Sequence, residues 1–489
     1  MSSNPIPKIS SFKTPAEFRS HLRSLGLKQE LDDVIEAAPN SPMGKEISVY
    51  SRKVGNRWCI LPMEGWDCES DGAPSDLTRR RWHNFAISGA KLLFGCEACA
   101  VMESGRSNTR QLMLTESNAS KLGALLDEMR KTHAERFGTA DDTLIGLQLT
   151  HSGRYSHPHD DAKLESVTAY SHPLLDERFH CTSANVISDS EIPNVVKHFA
   201  KAAVLSQKLG FDFVDVKMAH GYLGHEFLSA FTRPGAYGGS FENRTRFFRE
   251  IVAAIREAAP GLAIATRLSL FDCIPFEPGA DRRGVPMERG EVKVGNYPYA
   301  FGGDGTGLGR DLTETKMFLE LCCELGIELV CTTVCSPYYN PHFQRPAYYP
   351  VWDGYLPPED PVAGACRQIE TVAELKKEFG DRIKLVGSGY SCLQEYMVNI
   401  AQRVVRDNQA DFVGIGRQAL AYPEICADSL AGSPMQTKKL CRTFGDCTTA
   451  PRNGLVSGCY PLDPFYKVKK EAEILKERKR ELAERLKKN

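Results

Sequence analysis

The sequence predicts a (β/α)8 TIM barrel, and three observations carry that reading. Short apolar runs rich in β-formers alternate eight times with segments of helical period. No GxGxxG opens a βαβ unit, which weakens the rival, a doubly wound sheet. Titratable and polar residues gather where the runs end, as they do at the carboxyl face of barrel strands.

The runs, in order, are RWCILPM (57–63), CEACAVM (96–102), TLIGLQL (143–149), FDFVDV (211–216), LAIATRLSL (262–270), IELVCTTV (327–334), IKLVGS (383–388) and DFVGIG (411–416). Amphipathic helices are expected over 118–137, 191–209, 243–259, 312–325, 370–379 and 393–406. In 191–209 an apolar stripe of Val195, Val196, Phe199, Ala202, Ala203 and Leu209 ends at Gly210, a helix-stopping residue.

Three parts lie outside the barrel. Residues 1–45 read as an N-terminal extension with a helical segment at 15–38, 46–435 as the barrel, and 436–489 as a Cys-containing segment and a charged C-terminal helix. An insertion, 272–311, rich in Gly and charge, follows the fifth run. A structureless loop of that length is usually a lid or substrate wall, so it is expected over the active face. The helix at 467–489 carries Leu475, Leu482 and Leu486 at near-heptad spacing, which fits a solvated or packed terminal helix or a short coiled coil.

Composition narrows the function. The 489 residues carry a net charge of −1 with no basic block before the C-terminal tail, so nothing points to nucleic acid. The N-terminal MSSNPIPKISSFKTP lacks the basic and apolar regions of a secretory signal. No apolar run reaches the roughly eighteen residues a membrane span needs. The 16 Cys read as mostly buried, reduced thiols of a cytoplasmic protein. Cys96 and Cys99 form a lone Cys-x-x-Cys, for which a buried structural role is expected.

The chemistry concentrates in KMAHGYLGHEFLSAFTRPGAYGGSFENRTRFF (217–248), where Lys217, His220 and Tyr222 follow an apolar strand. The seventh run ends in GSGYS (387–391) and the eighth in GIGR (414–417). Glycines there let backbone approach a phosphate and Arg417 can pair with its oxygens, at the place where barrels usually bind phosphate. The third run ends in GLQLTHSGR, presenting Gln148, His151 and Arg154. Arg267 lies within an apolar strand and therefore demands an anion or several acceptors. An aromatic loop, CSPYYNPHFQRPAYY (335–349), is expected to wall the pocket.

On these residues, and on the string YGGSFENR (237–244), the chain resembles the old yellow enzyme family of NADH:flavin oxidoreductases over about residues 50–465. It is most similar to the bacterial branch that includes 2,4-dienoyl-CoA reductase and trimethylamine dehydrogenase. The resemblance implies FMN, with NADH or NADPH as hydride donor, and a small-molecule substrate; a homo-oligomer stays open. It implies that Pro62, Met63 and Glu64 meet the flavin ring, that Gln148 bonds its pyrimidine edge, and that Arg267 stabilises the reduced anion. Gly387, Ser388, Gly389, Gly416 and Arg417 match the phosphate clamp. Lys217, His220 and Tyr222 match the substrate triplet, with two donors polarising a carbonyl and Tyr222 supplying a proton. The implied activity is reduction of an activated C=C bond. The alternatives are a flavin dehydrogenase oxidising an amine or alcohol-like substrate, and a non-enzymatic flavin-storing scaffold.

Three departures from the family stand out. Lys217 replaces the usual His or Tyr, and would favour an anionic substrate or pair with a nearby carboxylate. Glu64 replaces a small residue near the flavin carbonyl, and would disfavour reduction unless it turns away or pairs with Lys217. In CRTFGDCTTAPRNGLVSGC (441–459), Cys441, Cys447 and Cys459 are one short of the four thiolates of that branch's iron–sulfur cluster, with Phe444 about where the second would be. A segment of ordinary thiols is expected, and a cluster using Asp446 or a zinc site stays open. Without a cluster, electrons would enter and leave at the FMN face.

Overall fold

The structure, a computed structural model, describes residues 6–352 and 354–488. Eight parallel strand positions close into a barrel: β1 (Trp58–Ile60), β2 (Leu92–Leu93), β3 (Leu144–Thr150), β4 (Phe213–Met218), β5 (Ala263–Ser269), β6 (Leu329–Thr333), β7 (Lys384–Gly387) and β8 (Phe412–Ile415). Neighbours in sequence are neighbours in space, and the ring closes where β1 pairs with both β8 and β2 while β2 pairs with β3. The expected (β/α)8 fold is thus present.

Alternation along each strand divides two cores. In β4, Phe213 joins the barrel interior with Leu61, Leu92, Leu144, Ala265, Leu329 and Val386, while Val214, Val216 and Met218 face the surrounding helices. The same period carries Asp215 and Lys217 inward above Phe213, and carries Gln148 and Arg267 inward on β3 and β5. Lys217 and Arg267 are direct register partners.

The second strand departs from expectation. Leu92–Leu93 closes the ring, and the backbone then kinks at Gly95 and Cys96, both at positive φ, before a short stretch, Ala98–Ala100, resumes pairing with β3. A two-residue closing strand leaves no periodic signal. Cys96 and Cys99 are buried, and burial raises both thiols, Cys99 to about 12.

Helix positions follow the pattern with three differences. The helix before β7 is Pro361–Phe379, capped by the Asp360 side chain on Val362 N–H. Its first turns are buried nearly all round and show no stripe. The last helix before β8 begins only at Met397, after a 3-10 turn. The N-terminal helix is Pro15–Ser24 and stops before Gly26 at φ 72. The chain beyond it lies along Met397–Arg406, where Asn399 donates to the Asp32 carbonyl and Gln402 to the Val34 carbonyl.

The insertion 272–311 holds an antiparallel pair, Phe276–Pro278 with Gly284–Pro286. None of its residues lines the main cavity. Instead it buttresses the aromatic loop: Phe276 N–H donates to the Tyr339 carbonyl, and Tyr339 Oη donates to Asp272 at 2.6 Å. The lid expectation therefore gives way to a supporting role. The C-terminal helix, Lys470–Lys488, packs through buried Leu475 against Ala450, Tyr460 and Tyr466. The side chains of Leu482 and Leu486 lie outside the described residues.

YGGSFENR proves to be a structural joint. Ser240 caps the helix Phe241–Ala258 by accepting Asn243 N–H. Buried Arg244 pairs with Glu314 and donates to the carbonyls of Gly239 and Leu228. Replacing Arg244 by Ala strands Glu314 and two carbonyls, so we expect a loss of about 2–4 kcal/mol, less than for a fully buried pair because Glu314 is partly exposed. Urea unfolding should show a lower midpoint at unchanged slope.

Candidate active site

One cavity of about 260 Å³ opens at the carboxyl end of the barrel. It receives Pro62, Met63 and Glu64 after β1, Gln148 from β3, Lys217, His220 and Tyr222 from β4 and its turn, and Arg267 from β5. Ser388 and Gly389 follow β7, and Gly416 and Arg417 follow β8, on its wall. Of the residues the sequence put forward for the site, Gly387, His151 and Arg154 do not line it. A Cβ on Gly387 would stand 2.8 Å from Tyr390 Oη, so its smallness serves packing.

The turn after β4 is pinned on three sides. His220 and Gly221 both have positive φ. His220 N–H donates to Ser269 Oγ (3.0 Å), Ser336 Oγ donates to the His220 carbonyl (2.8 Å), and Gly221 N–H donates to His225 Nδ1 (2.9 Å). A side chain at position 221 would crowd Tyr339 and Ser336. Burial, then Arg267 and Lys217, hold the His220 imidazole well below its usual range, so it is neutral. The Gln344 amide nitrogen sits 3.0 Å from its Nε2.

Glu64 turns into the pocket and becomes a hub. Its Oε1 accepts from Tyr222 Oη (2.7 Å) and lies 3.6 Å from Lys217 Nζ, while its Oε2 accepts from Ser107 Oγ (2.7 Å). Lys217 Nζ also stands 3.6 Å from the centre of the Tyr222 ring. Burial lowers the Lys217 ammonium to about 8 despite the attraction of Glu64. Tyr222 Oη meets Tyr338 Oη at 3.0 Å, and burial followed by the Glu64 charge raises the Tyr222 phenol well above its usual value. The segment bearing Glu64 is held from behind: Gly65 N–H donates to buried Glu97, which pairs with Arg81, itself paired with Asp67.

Gln148 donates to Asp215, whose carboxyl is pushed up to about 6 by burial. Arg267 enters no ion pair among the described residues, and its buried Nε has no hydrogen-bond partner there. His151 and Arg154 are not at the cavity. Arg154 is buried between Glu226 and Asp176, and His151 accepts Gly153 N–H.

Three contributors were not legible in the sequence as site residues. Ser107 gave no signal. Tyr338 lay within the aromatic loop without a role of its own. The stretch from Cys447 to Ser457 folds back over the cavity, with Ser457 N–H donating to the Gly65 carbonyl. Cys441, Phe444, Cys447 and Cys459 share a second cavity of about 20 Å³ with Arg417. Among the described residues no group of three or more His, Cys, Asp or Glu is arranged to hold a metal ion.

The fit to a flavin nucleotide can be judged from these groups. Arg267 offers a buried cation with an unused donor. Gly389 has φ 91, and a Cβ on Gly416 would meet only Met63 within 4 Å, so the two loops present bare backbone to the cavity beside Arg417. Apolar walls from Leu61, Met63 and Ala98 suit an aromatic ring system. The residues fit FMN.

Fold and site together define a barrel that holds a phosphorylated aromatic cofactor beside a trio of proton-bearing side chains. Residues 45–285 match the model of the NADH:flavin oxidoreductase / NADH oxidase family. An NADPH dehydrogenase of Bacillus cytotoxicus is 28% identical over 388 residues, covering 78% of this chain and 90% of that protein. An NADPH dehydrogenase of Clostridium acetobutylicum is 31% identical over 209 residues, which is 42% of this chain and 57% of that protein. Among solved structures, a 2-naphthoyl-CoA reductase superposes with a TM-score of 0.64 at 17% identity, covering 87% of this chain and 57% of that one. Morphinone reductase in complex with tetrahydroNAD superposes with a TM-score of 0.54 at 21% identity, covering 81% and 92%. Over residues 45–285 the chain is similar to the NADH:flavin oxidoreductase family, the old yellow enzymes.

Two expectations follow. On the expectation that Arg417 pairs with the phosphate, Arg417→Ala should lower FMN affinity by about 1.5–3 kcal/mol in a fluorescence titration. Metal and acid-labile sulfide analysis of anaerobically prepared protein should find no stoichiometric iron–sulfur cluster, because Cys441, Cys447 and Cys459 make three thiolates, one short of a four-Cys set.

Proposed function

We propose that the protein is an FMN-dependent ene-reductase that uses NADH or NADPH to reduce an activated C=C bond of a small molecule. The carrying observation is that one cavity joins the two glycine loops and Arg417, Arg267 with no ion pair among the described residues, and the turn bearing Lys217, His220 and Tyr222. FMN, when bound, supplies hydride exchange between the nicotinamide and the substrate. The residues supply the rest. Arg267 stabilises negative charge on the reduced cofactor's pyrimidine edge. Lys217 and His220 orient and polarise the substrate carbonyl. Tyr222, raised far above neutrality, stays protonated and serves as the acid for the carbon alpha to it. The Pro337–Arg345 loop and the Cys447–Ser457 stretch shield the reaction from water.

The pairing of Lys217 with Glu64 tempers the expected preference for an anionic substrate, since the two charges offset one another. A cytoplasmic location is supported by 16 free cysteines. No helix of the described residues is long and apolar enough to cross a membrane.

Anaerobic spectroscopy separates the readings. NADH or NADPH should bleach the bound flavin and an α,β-unsaturated carbonyl should restore its colour. Bleaching by a secondary or tertiary amine instead would favour the dehydrogenase reading. Tyr222→Phe should leave bleaching by the nicotinamide near wild type and slow reoxidation by the unsaturated substrate at least about tenfold, followed by stopped-flow absorbance. Unchanged reoxidation would remove Tyr222 as the acid.

A further inference from the structure

We propose that Gln344 is a positioning residue of this site, which fixes the tautomer of His220 so that the imidazole meets the substrate carbonyl with Nδ1–H. This role deepens the reading above and rests on it for the identity of the group that is met. Gln344 and His220 both line the cavity, and the Gln344 amide nitrogen stands 3.0 Å from His220 Nε2. With Nε2 engaged there, Nδ1 is the ring nitrogen left for a ligand.

A neutral imidazole has one N–H and one bare nitrogen, and the hydrogen bond at one nitrogen decides which is which. His220 is neutral because burial, then Arg267 and Lys217, disfavour a second proton. An amide N–H can donate only to a bare nitrogen. With Gln344 donating to Nε2, the single ring proton sits on Nδ1. With the amide carbonyl there instead, Nε2 would hold the proton, and a bare Nδ1 would repel a carbonyl oxygen. Two neighbours choose between these orientations. The Gln344 nitrogen faces His220 Nε2 and, at 3.4 Å, Thr333 Oγ1, with one hydrogen for each. Its Oε1 is buried with no hydrogen-bond partner among the described residues. Turning the amide over would bring both hydrogens to that spot, stranding two donors in place of one acceptor.

The amide and the imidazole are carried by one frame. Gln344 ends the short helix Pro341–Gln344 in the aromatic loop after β6. Buried Gln368, from the helix Pro361–Phe379, donates to the carbonyls of Phe343 (2.9 Å) and Gln344 (3.1 Å). Its Oε1 lies 3.1 Å from Ser388 Oγ, which ties the frame to the glycine loop after β7. At the other end of the short helix, Asn340 Oδ1 accepts Ser336 N–H (2.9 Å), and Ser336 Oγ is the donor to the His220 carbonyl. The ring and the amide therefore keep their separation without relying on a ligand.

Nuclear magnetic resonance of the full chain, loaded with FMN and labelled with heavy nitrogen in histidine, reads the tautomer directly. The His220 signals are assigned by their loss in His220→Asn. Wild type should show a proton on Nδ1 and a bare Nε2; a proton on Nε2 overturns the proposal. Gln344→Met nearly keeps the length of the side chain and removes the donor, so the Nδ1–H form should lose population to Nε2–H. A purely structural role would leave the tautomer where it is, and that result also overturns the proposal. Reoxidation of the reduced flavin by 2-cyclohexenone, timed by stopped flow, adds the functional arm. The enone concentration for half-maximal rate should rise at least about tenfold in Gln344→Met. An unchanged concentration with a changed tautomer overturns the contact between Nδ1–H and the carbonyl. If the enone reoxidises neither protein while the tautomer shifts as stated, the role of Gln344 stands and the ene-reductase reading falls. Should Gln344→Met fail to fold, the wild-type spectrum decides alone, for or against.

Discussion

Charge buried at the mouth of a narrow barrel is the constraint on which the rest of this structure depends. Inward-facing positions of β3, β4 and β5 put Gln148, Asp215, Lys217 and Arg267 above an apolar floor. An unpaired charge there costs several kcal/mol, so each needs an answer. Gln148 meets Asp215, and Glu64 reaches across from the end of β1 to meet Lys217. Arg267 is the charge that the described residues leave without an ion pair. The polar groups at the cavity thus answer to one balance, with Asp215 and Glu64 as the carboxylates that meet Gln148 and Lys217.

That balance explains the two departures from the family pattern together. A lysine in the substrate triplet and a glutamate after β1 would each be awkward alone. Placed 3.6 Å apart they offset one another, and the glutamate gains a phenol and a serine hydroxyl as donors. The Arg81–Asp67–Glu97 cluster behind Gly65 fixes the segment from which Glu64 projects. A hub built this way orients Tyr222 through its hydroxyl and through the ammonium over its ring.

The barrel was legible because strand period and strand–helix alternation are local. Where the pattern was weak, the physical reason is visible. Leu92–Leu93 is too short to show a period, and Pro361–Phe379 begins in turns buried on all sides. The insertion looked like a lid because composition reports disorder-like content and not where a segment packs; Phe276 and Asp272 bind it to the aromatic loop. Which strand-end residues line the cavity was readable from type and position. Tyr338 and the Cys447–Ser457 stretch, which line the cavity, and Ser107, which donates to Glu64, were not, because tertiary folding brings them together from segments far apart in sequence. His151 and Arg154 failed for the same reason in reverse: their neighbours Gly153, Glu226 and Asp176 absorb them.

The central claim is that this barrel mouth is an FMN site, and flavin analysis of the purified protein tests it most directly. The account predicts a yellow protein that releases one FMN per chain on denaturation, without a covalent link, and that rebinds it from solution once stripped. A chain that is isolated colourless and fails to take up FMN on reconstitution would contradict it.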